Sequence, residues 1–259
     1  MPCSMRNDKM GFTDLHTHTT YCDGRNTPEE MVEAAIERGV TTLGLLAHSY
    51  VEFDKHYAID PTRVEDFRAE VAELREKHKD KINILFGIEA DYYATEIYGG
   101  TDYVIGSCHY FKSGDKYYTI DGSRDNVIAC INELFDGDPY AMAEAYFDLI
   151  SGIKERVGAT IVGHFDIIMK FNEARDIFDD KNERYVRAWK RAVDKLVSDG
   201  LCFEINTGAI ARGRRTTPYP TDDIINYIKS KGGTLILSSD CHFKEKLAFD
   251  FEKYEYLLE

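Results

Sequence analysis

The chain has 259 residues, of which 43% are hydrophobic and 30% are charged, a composition typical of a folded globular protein rather than a disordered or fibrous one. Lys and Arg number 32 against 46 for Asp and Glu, so the formal net charge is −14 at pH 7. That excess of negative charge repels a phosphate backbone, which argues against a general nucleic-acid-binding protein.

The sequence contains no targeting or membrane signal. No run of about 18 apolar residues occurs, and residues 1–10 carry charges without an apolar core. We therefore expect a cytoplasmic protein with no membrane partner, and the sequence carries no signal for an oligomeric state. The six cysteines are scattered and form no Cys-x-x-Cys pair, which favours reduced thiols over a disulfide framework.

Short β-rich apolar runs alternate with helical patterns along most of the chain, which is typical of βα units around a parallel sheet. The seven runs cover residues 12–15, 42–46, 82–88, 103–106, 160–162, 201–205 and 234–237. After the first run, Thr27, Pro28 and Glu30 form a capping-box pattern that predicts a helix ending at Gly39. Further helices are predicted over residues 60–78, 180–198 and 221–231.

The alternation breaks between residues 110 and 158. A polar, turn-rich stretch over residues 112–125 precedes helical patterns over 126–135 and 140–157. A chain of this length holds either two small domains or one α/β barrel of about 250 residues. Because no linker or internal repeat divides the sequence, we predict a single domain over residues 1–259 with an insertion at about 110–158.

A polar or metal-binding side chain follows each predicted strand. In chain order these residues are His16, His18, His48, Glu89, His109, His164, Asn206, Asp240 and His242. The carboxyl ends of the strands of a parallel α/β barrel converge on one face, where active sites are built. Six of the eight histidines lie at such ends, and His56 and His78 lie elsewhere. The pattern therefore predicts a site at that face.

The spacing and types of these residues favour a metal site. His16 and His18 are two residues apart on an extended segment, so both rings point to the same side and can reach one ion. With the carboxylates included, nine side chains are candidate ligands. They are His16, His18, Asp23, His48, Glu89, His109, His164, Asp240 and His242. This number suits about three divalent ions, and mixed imidazole and carboxylate ligation favours Zn²⁺, Mn²⁺ or Fe²⁺.

Seven segments in chain order carry a resemblance to a known family. They are DLHTHTTYCDG (14–24), the strand-end His48, FGIEADY (86–92), GSCH (106–109), VGHFD (162–166), EINTG (204–208) and SSDCH (238–242). Across about residues 12–245 they resemble the polymerase and histidinol phosphatase (PHP) family, in particular its branch of stand-alone histidinol phosphatases. The resemblance implies a distorted seven-stranded (βα) barrel, similar to a TIM barrel, with its active site at the C-terminal ends of the strands.

The resemblance also implies how the ligands are shared. One ion would be held by His16, His18, Glu89 and Asp240. Glu89 would bridge to a second ion held by His109 and His164, and Asp23, His48 and His242 would hold a third. Many relatives have a histidine near the position of Asp23, for which the alternative is a turn residue before Gly24.

Three arginines follow the strand-end segment 204–208, and the family resemblance favours Arg212 as the one that binds substrate phosphate. Arg214 and Arg215 are expected to be surface residues. Asp166 is a candidate to orient His164 or bind a substrate amine, with helix capping as its alternative. Tyrosines 92, 93 and 98 are candidates for a substrate wall, with core packing as the alternative.

The resemblance implies a metal-dependent phosphomonoesterase that hydrolyses L-histidinol phosphate by attack of a metal-bridging hydroxide. Arg212 and Asp240 would act in catalysis, and His242 or a metal-bound water would assist the leaving group. The partner would be a small phosphate monoester. Alternatives are a phosphatase of another small phosphate ester, a PHP-type phosphodiesterase or exonuclease, and a metal-binding scaffold without catalysis.

Overall fold

The structure is a computed structural model that describes residues 11–96 and 98–258. The strands of this part of the chain are β1 Phe12–His18, β2 Val40–His48, β3 Asn83–Asp91, β4 Tyr103–Ser107, β5 Tyr110–Ser113, β6 Lys116–Thr119, β7 Ile161–Val162, β8 Cys202–Asn206 and β9 Thr234–Ser238. In these residues β5 and β6 form an antiparallel hairpin, and the other seven strands form one parallel sheet in the order β1-β2-β3-β4-β7-β8-β9. All seven predicted strands are confirmed.

The sheet closes where β1 meets the segment that follows β9. Thr17 forms a parallel bridge with Cys241, and the backbone N–H of His18 donates to the carbonyl of Cys241 at 2.9 Å. The buried carboxylate of Asp14 accepts hydrogen bonds from the backbone N–H groups of Ser239 at 3.1 Å and Ala248 at 3.0 Å. These contacts join the first and last strands, so the sheet is a nearly closed barrel, as predicted.

The helices lie where the capping patterns predict them, with small shifts at their starts. Their bounds are α1 Pro28–Glu37, α2 Val64–Lys77, α3 Arg124–Leu134, α4 Pro139–Ser151, α5 Ile153–Val157, α6 Glu183–Ser198, α7 Gly208–Ala211, α8 Asp222–Ser230 and α9 Phe251–Tyr254. The side chain of Thr27 accepts from the N–H of Glu30, whose carboxylate accepts from the N–H of Thr27, so the capping box is present. Helix α6 starts three residues later than predicted because the Asn182 side chain caps it.

Residues 110–158 contain the β5–β6 hairpin and helices α3 to α5. The hairpin forms within the stretch that the sequence marks only as polar and turn-rich. Phe111 of the hairpin and Phe147 of α4 belong to the same hydrophobic cluster as Phe165 and Phe203 of the barrel. This shared core is what a single domain requires, and the domain count stays a prediction.

The cysteines differ in one respect from expectation. Cys22, Cys108, Cys130 and Cys241 are free thiols, as predicted. Cys202 is disulfide-bonded, so the expectation of reduced thiols is wrong at that residue. Spacing along the chain does not reveal which thiols the fold brings together. Residues 1–10, in which no signal peptide is predicted, lie outside the described residues, and none of the described helices has the length and hydrophobicity of a transmembrane span.

Tyr103 fills the centre of the barrel and depends on glycines in the neighbouring strands. Its side chain is 1% exposed, and its hydroxyl donates to the carbonyl of Leu15 at 2.6 Å. A Cβ at Gly87 would overlap the ring carbons of Tyr103, and a Cβ at Gly44 would overlap its hydroxyl. The absence of side chains at these two positions makes room for the ring.

We expect Gly87→Ala to lower the free energy of unfolding by about 1–3 kcal/mol, because Tyr103 must move and strain its hydrogen bond to Leu15. Urea denaturation of the purified protein measures this change. The matched control is Gly152→Ala, because a Cβ there makes only an ordinary contact of 3.6 Å with the carbonyl of Leu149. Equal stabilities for the two variants would contradict this account of the barrel interior.

Candidate metal centre

The strand ends bring the nine predicted ligands to one mouth of the barrel. His16 and His18 end β1, His48 ends β2, and Glu89 lies near the end of β3. His109, His164, Asp240 and His242 lie in the segments that follow β4, β7 and β9, and Asp23 lies in the turn after β1. Among the described residues, three groups of side chains have ligand atoms within 4.8 Å of one another. They are His18–Asp23–His48–His242, His16–His18–Asp240 and Glu89–His109–His164.

Glu89 lies between these groups, and each of its carboxylate oxygens faces a different set of histidines. Oε2 is 3.1 Å from Nε2 of His16 and 2.9 Å from Nδ1 of His48. Oε1 is 3.1 Å from Nε2 of His164 and 3.6 Å from Nε2 of His109. This geometry is the one a bridging ligand needs, since one carboxylate reaches two positions at once.

His18 lies at the junction of the first two groups. Its ring packs against those of His48 and His242, with ring centroids 4.2 Å away in both pairs. Its Nε2 is 3.6 Å from Oδ1 of Asp240. Asp23 contacts the other two rings, with Oδ1 3.5 Å from Nε2 of His48 and Oδ2 3.2 Å from Nε2 of His242. The carboxylate of Asp23 therefore faces two of the imidazoles with which it is predicted to share an ion.

Burial and neighbouring charges set the protonation states of these groups. The pKa of His18 is lowered to about 3 because its ring is buried and lies beside His242 and His48. This ring is neutral at neutral pH, which is the form that binds metal ions. Burial raises the pKa of Glu89, but the charges of His16 and His48 outweigh it and hold that pKa well below its usual range.

The donor atoms at the centre fit a cation. Nε2 of His16, Nε2 of His18 and Oε2 of Glu89 are buried and have no hydrogen-bond partner among the described residues. These two imidazole nitrogens and one carboxylate oxygen converge there without a hydrogen-bond partner of their own. Buried polar atoms lower the stability of a fold when they are unpaired. A divalent ion bound by these nitrogen and oxygen atoms would satisfy all three of them.

Two carboxylates behind the candidate ligands were not singled out from the sequence. Oε1 of Glu204 is 2.7 Å from Nδ1 of His16, and its Oε2 accepts the backbone N–H of His164 at 3.0 Å. Oδ2 of Asp91 is 3.1 Å from Nδ1 of His109. Both carboxylates hold an imidazole by one nitrogen so that the other faces the centre. The position of Asp91 could have been predicted from the sequence, because side chains alternate along a strand and a residue two after Glu89 faces the same side.

Arg212 lies at the C-terminal end of α7, beside the candidate ligands. Its Nη2 donates to Oδ2 of Asp240 at 2.9 Å, and its Nη1 donates to the backbone carbonyl of Asp240 at 3.0 Å. About a third of its side chain is exposed. Burial raises the pKa of Asp240, but the positive charges of Arg212 and His16 outweigh it and keep that pKa well below its usual range.

Two other sequence expectations do not fit the structure. Arg215, expected at the surface, is 5% exposed because its guanidinium lies over the ring of Tyr219 and donates to the carbonyl of Met169 at 2.7 Å. Asp166 is buried, and its Oδ2 accepts the backbone N–H of Thr221 at 3.0 Å. It does not belong to the described residues that line the cavity beside the candidate ligands, so this position does not suit a direct substrate contact.

A cavity of about 530 Å³ opens above the candidate ligands. Glu89, His109, His164, Asp240 and His242 form part of its lining, together with Arg212. Its aromatic lining comes from tyrosines 57, 110 and 219 and from Phe243, whereas tyrosines 92, 93 and 98 are not part of the described lining. Tyrosines 92 and 98 pack against the hydrophobic core, which fits the alternative of core packing and not the substrate wall.

Residues 14–208 match the PHP domain family, and the chain belongs to this family of metal-dependent phosphoesterases. The match extends from β1 to β8 and includes seven of the nine candidate ligands, and Asp240 and His242 lie beyond it.

Individual relatives agree with this assignment. A protein of Schizosaccharomyces pombe named probable histidinol-phosphatase is 26% identical, covering 91% of this chain and 82% of that protein. A candidate histidinol phosphatase HisK of Listeria monocytogenes has a similar fold, with a TM-score of 0.80 at 18% identity over 93% of this chain and 99% of that chain. The histidinol phosphate phosphatase of Lactococcus lactis, solved with zinc, L-histidinol and phosphate, has a TM-score of 0.68 at 19% identity over 95% and 92% of the two chains.

We expect Glu89→Gln to lose metal and to lower activity by at least about 100-fold, the upper range of losses seen for residues that only support a ligand. The amide keeps the size of the side chain but removes the charge that separates two cations. Elemental analysis of protein purified without chelator measures metal per chain, and the wild type should hold more than one transition-metal ion.

His56→Ala is the control for this substitution, because His56 is exposed and lies outside the three groups. It should retain wild-type metal content and activity. Full metal retention in Glu89→Gln, or a wild-type stoichiometry that stays at or below one after metal is added back, would overturn the shared-ligand arrangement.

Proposed function

We propose that the protein is a phosphomonoesterase that hydrolyses L-histidinol phosphate to L-histidinol and phosphate with three divalent transition-metal ions, Zn²⁺, Mn²⁺ or Fe²⁺. The proposal is based on one observation: imidazole and carboxylate groups that can bind metal ions line the same cavity as a guanidinium that can bind phosphate. Family membership and the name of the Schizosaccharomyces pombe relative support the substrate.

The nine residues at the barrel mouth are the proposed ligands. His16, His18, Glu89 and Asp240 would hold one ion, His109 and His164 a second with Glu89, and Asp23, His48 and His242 a third. When bound, ions of this kind lower the pKa of water and neutralise charge that develops on phosphate oxygens.

Arg212 is the proposed phosphate-binding residue. Asp240 receives two of its N–H groups, which fixes the plane of the guanidinium and leaves other donors free. A guanidinium held in this way can donate to two non-bridging phosphate oxygens at once and can stabilise the charge of the transition state. Asp240 thus serves catalysis twice, as a proposed ligand and as the anchor of Arg212.

Two roles proposed for His242 depend on different nitrogens. Its Nδ1 is 3.1 Å from the backbone carbonyl of Asp240, to which a protonated nitrogen donates. That hydrogen bond leaves the Nε2 lone pair free for a ligand role. Assistance to the leaving oxygen requires a proton on Nε2 instead, so the two roles apply to different protonation states.

The volume of the cavity and the net charge of the protein distinguish between the alternative functions. A cavity of about 530 Å³ is within the range of small-molecule pockets. The net charge of −14 disfavours a nucleic-acid substrate and hence an exonuclease. The proposed reaction would belong to histidine biosynthesis. The cytoplasmic location expected from the sequence stays a prediction.

Steady-state hydrolysis of three compounds tests the proposal. With the metal-loaded enzyme, kcat/KM should be highest for L-histidinol phosphate, lower for p-nitrophenyl phosphate, and lowest for bis-p-nitrophenyl phosphate. Preference for the diester would favour a phosphodiesterase, and metal binding without turnover of any ester would favour a scaffold.

We expect Arg212→Ala to raise KM and to lower kcat/KM by about 100-fold, because both substrate and transition state lose a charged donor. Metal content measured on the same sample should stay at the wild-type value. Arg214→Ala is the matched control, since Arg214 is exposed in the same loop. Wild-type kinetics for Arg212→Ala would assign phosphate binding to another residue.

A further inference from the structure

Two carboxylates in the cavity lining remain outside the proposed ligand set. Among the described lining residues, Asp23, Glu89 and Asp240 are proposed ligands, and the remaining carboxylates belong to Asp54 and Asp121. The two carboxylates differ in the hydrogen bonds that they already accept, so their capacity to bind a further group differs as well.

Asp121 is held beside the candidate ligands by the β5–β6 hairpin. Thr119, at the end of β6, pairs with Tyr110, and the N–H of Ile120 donates to the carbonyl of His109 at 2.9 Å. The next residue along the chain is Asp121. The hairpin thus places this aspartate next to the segment that carries His109.

The side chain of Asp121 is oriented but not saturated. Its Oδ1 accepts the hydroxyl of Thr119 at 3.0 Å, and Nζ of Lys170 donates to its backbone carbonyl at 2.6 Å. Among the described residues, Oδ2 has a longer contact of 3.5 Å with Nζ of Lys170 and no other polar partner. A carboxylate has about four acceptor positions, so Oδ2 can still accept from a donor in the cavity.

The charge of Asp121 is retained in this position. Burial raises its pKa, but the positive charges of His109 and Lys170 outweigh that effect, and the net change is a lowering. About 30% of its side chain is exposed, and the cavity that it lines also contains Arg212 and the proposed ligands. A fixed negative charge therefore faces the space next to the proposed phosphate position.

The proposed substrate has a positive charge at a matching place. In L-histidinol phosphate the ammonium is on the carbon next to the one that carries the phosphate ester. When the phosphate is held by Arg212 and the barrel mouth, the ammonium lies only a few bonds away. Asp23, Glu89 and Asp240 are proposed to face metal ions, and Asp240 also accepts from Arg212, so the ammonium requires a carboxylate outside this set.

We propose that Asp121 binds the ammonium of the substrate and thereby selects phosphate monoesters that carry a cation on the carbon adjacent to the ester carbon. Thr119 and Lys170 are positioning residues that hold its carboxylate and its backbone. This inference rests on the proposed function, because it presupposes that the phosphate occupies the cavity beside Arg212.

Asp54 is less suited to the same role. Its Oδ2 accepts the hydroxyl of Tyr110 at 2.9 Å, so this carboxylate serves to join the loop after β2 to the hairpin. Because it lines the same cavity with the same charge, it is a matched control for Asp121.

The experiment compares two esters on one enzyme preparation, L-histidinol phosphate and 3-(imidazol-4-yl)propyl phosphate. The second ester lacks the amine and is otherwise identical to the first. The measured quantity is the ratio of their kcat/KM values. In the wild type the amino ester should be preferred by roughly 10- to 100-fold, the usual range for a hydrogen bond to a charged group. Asp121→Asn should abolish most of that preference, and Asp54→Asn should retain it.

The ratio is unaffected by partial unfolding or metal loss, since both esters meet the same active fraction of enzyme. A wild-type ratio near one, an unchanged ratio in Asp121→Asn, or an equal fall of the ratio in Asp54→Asn would overturn the role of Asp121. Failure of the proposed function looks different, because the wild type would then hydrolyse both imidazole esters more slowly than p-nitrophenyl phosphate.

Discussion

Glu89 places one carboxylate oxygen 3.1 Å from His16 and the other 3.1 Å from His164, in a position that is almost fully buried. A buried carboxylate between imidazoles is stable only when its charge is balanced, by protons on the rings or by metal ions. The remaining strand ends are arranged around this one group. The barrel fold explains how this is possible, because parallel strands bring side chains that are far apart in sequence to a common face.

The surrounding carboxylates limit the freedom of the rings at that face. Glu204 contacts both His16 and His164, and Asp91 contacts His109 through its ring and its backbone N–H. These carboxylates belong to β8 and β3, so the orientation of the imidazoles is fixed by strands and not by loops. Rigid support of this kind keeps unpaired lone pairs close together at an energetic cost that the rest of the fold offsets.

Local patterns in the sequence predict much of this arrangement, and long-range contacts account for what they miss. Alternating apolar runs locate the strands, and the residues after them include the side chains that meet at the barrel mouth. Arg215 and Asp166 could not be placed in this way, because Arg215 donates to the carbonyl of Met169 and Asp166 accepts from Thr221, both far away along the chain. The hairpin that precedes Asp121 is equally hidden, since its two strands have only four residues each and one of them lies within a turn-rich stretch.

The contact of β1 with the segment after β9 has a consequence for the order of events in the cell. His18 stacks on His242, so a nascent chain must extend past His242 before these two rings can meet. During synthesis the early histidines leave the ribosome without their later partners, and the complete centre can form only after the segment that carries His242 has emerged. The full set of proposed ligands is therefore available to metal ions only in the folded barrel and not in the growing chain before that point.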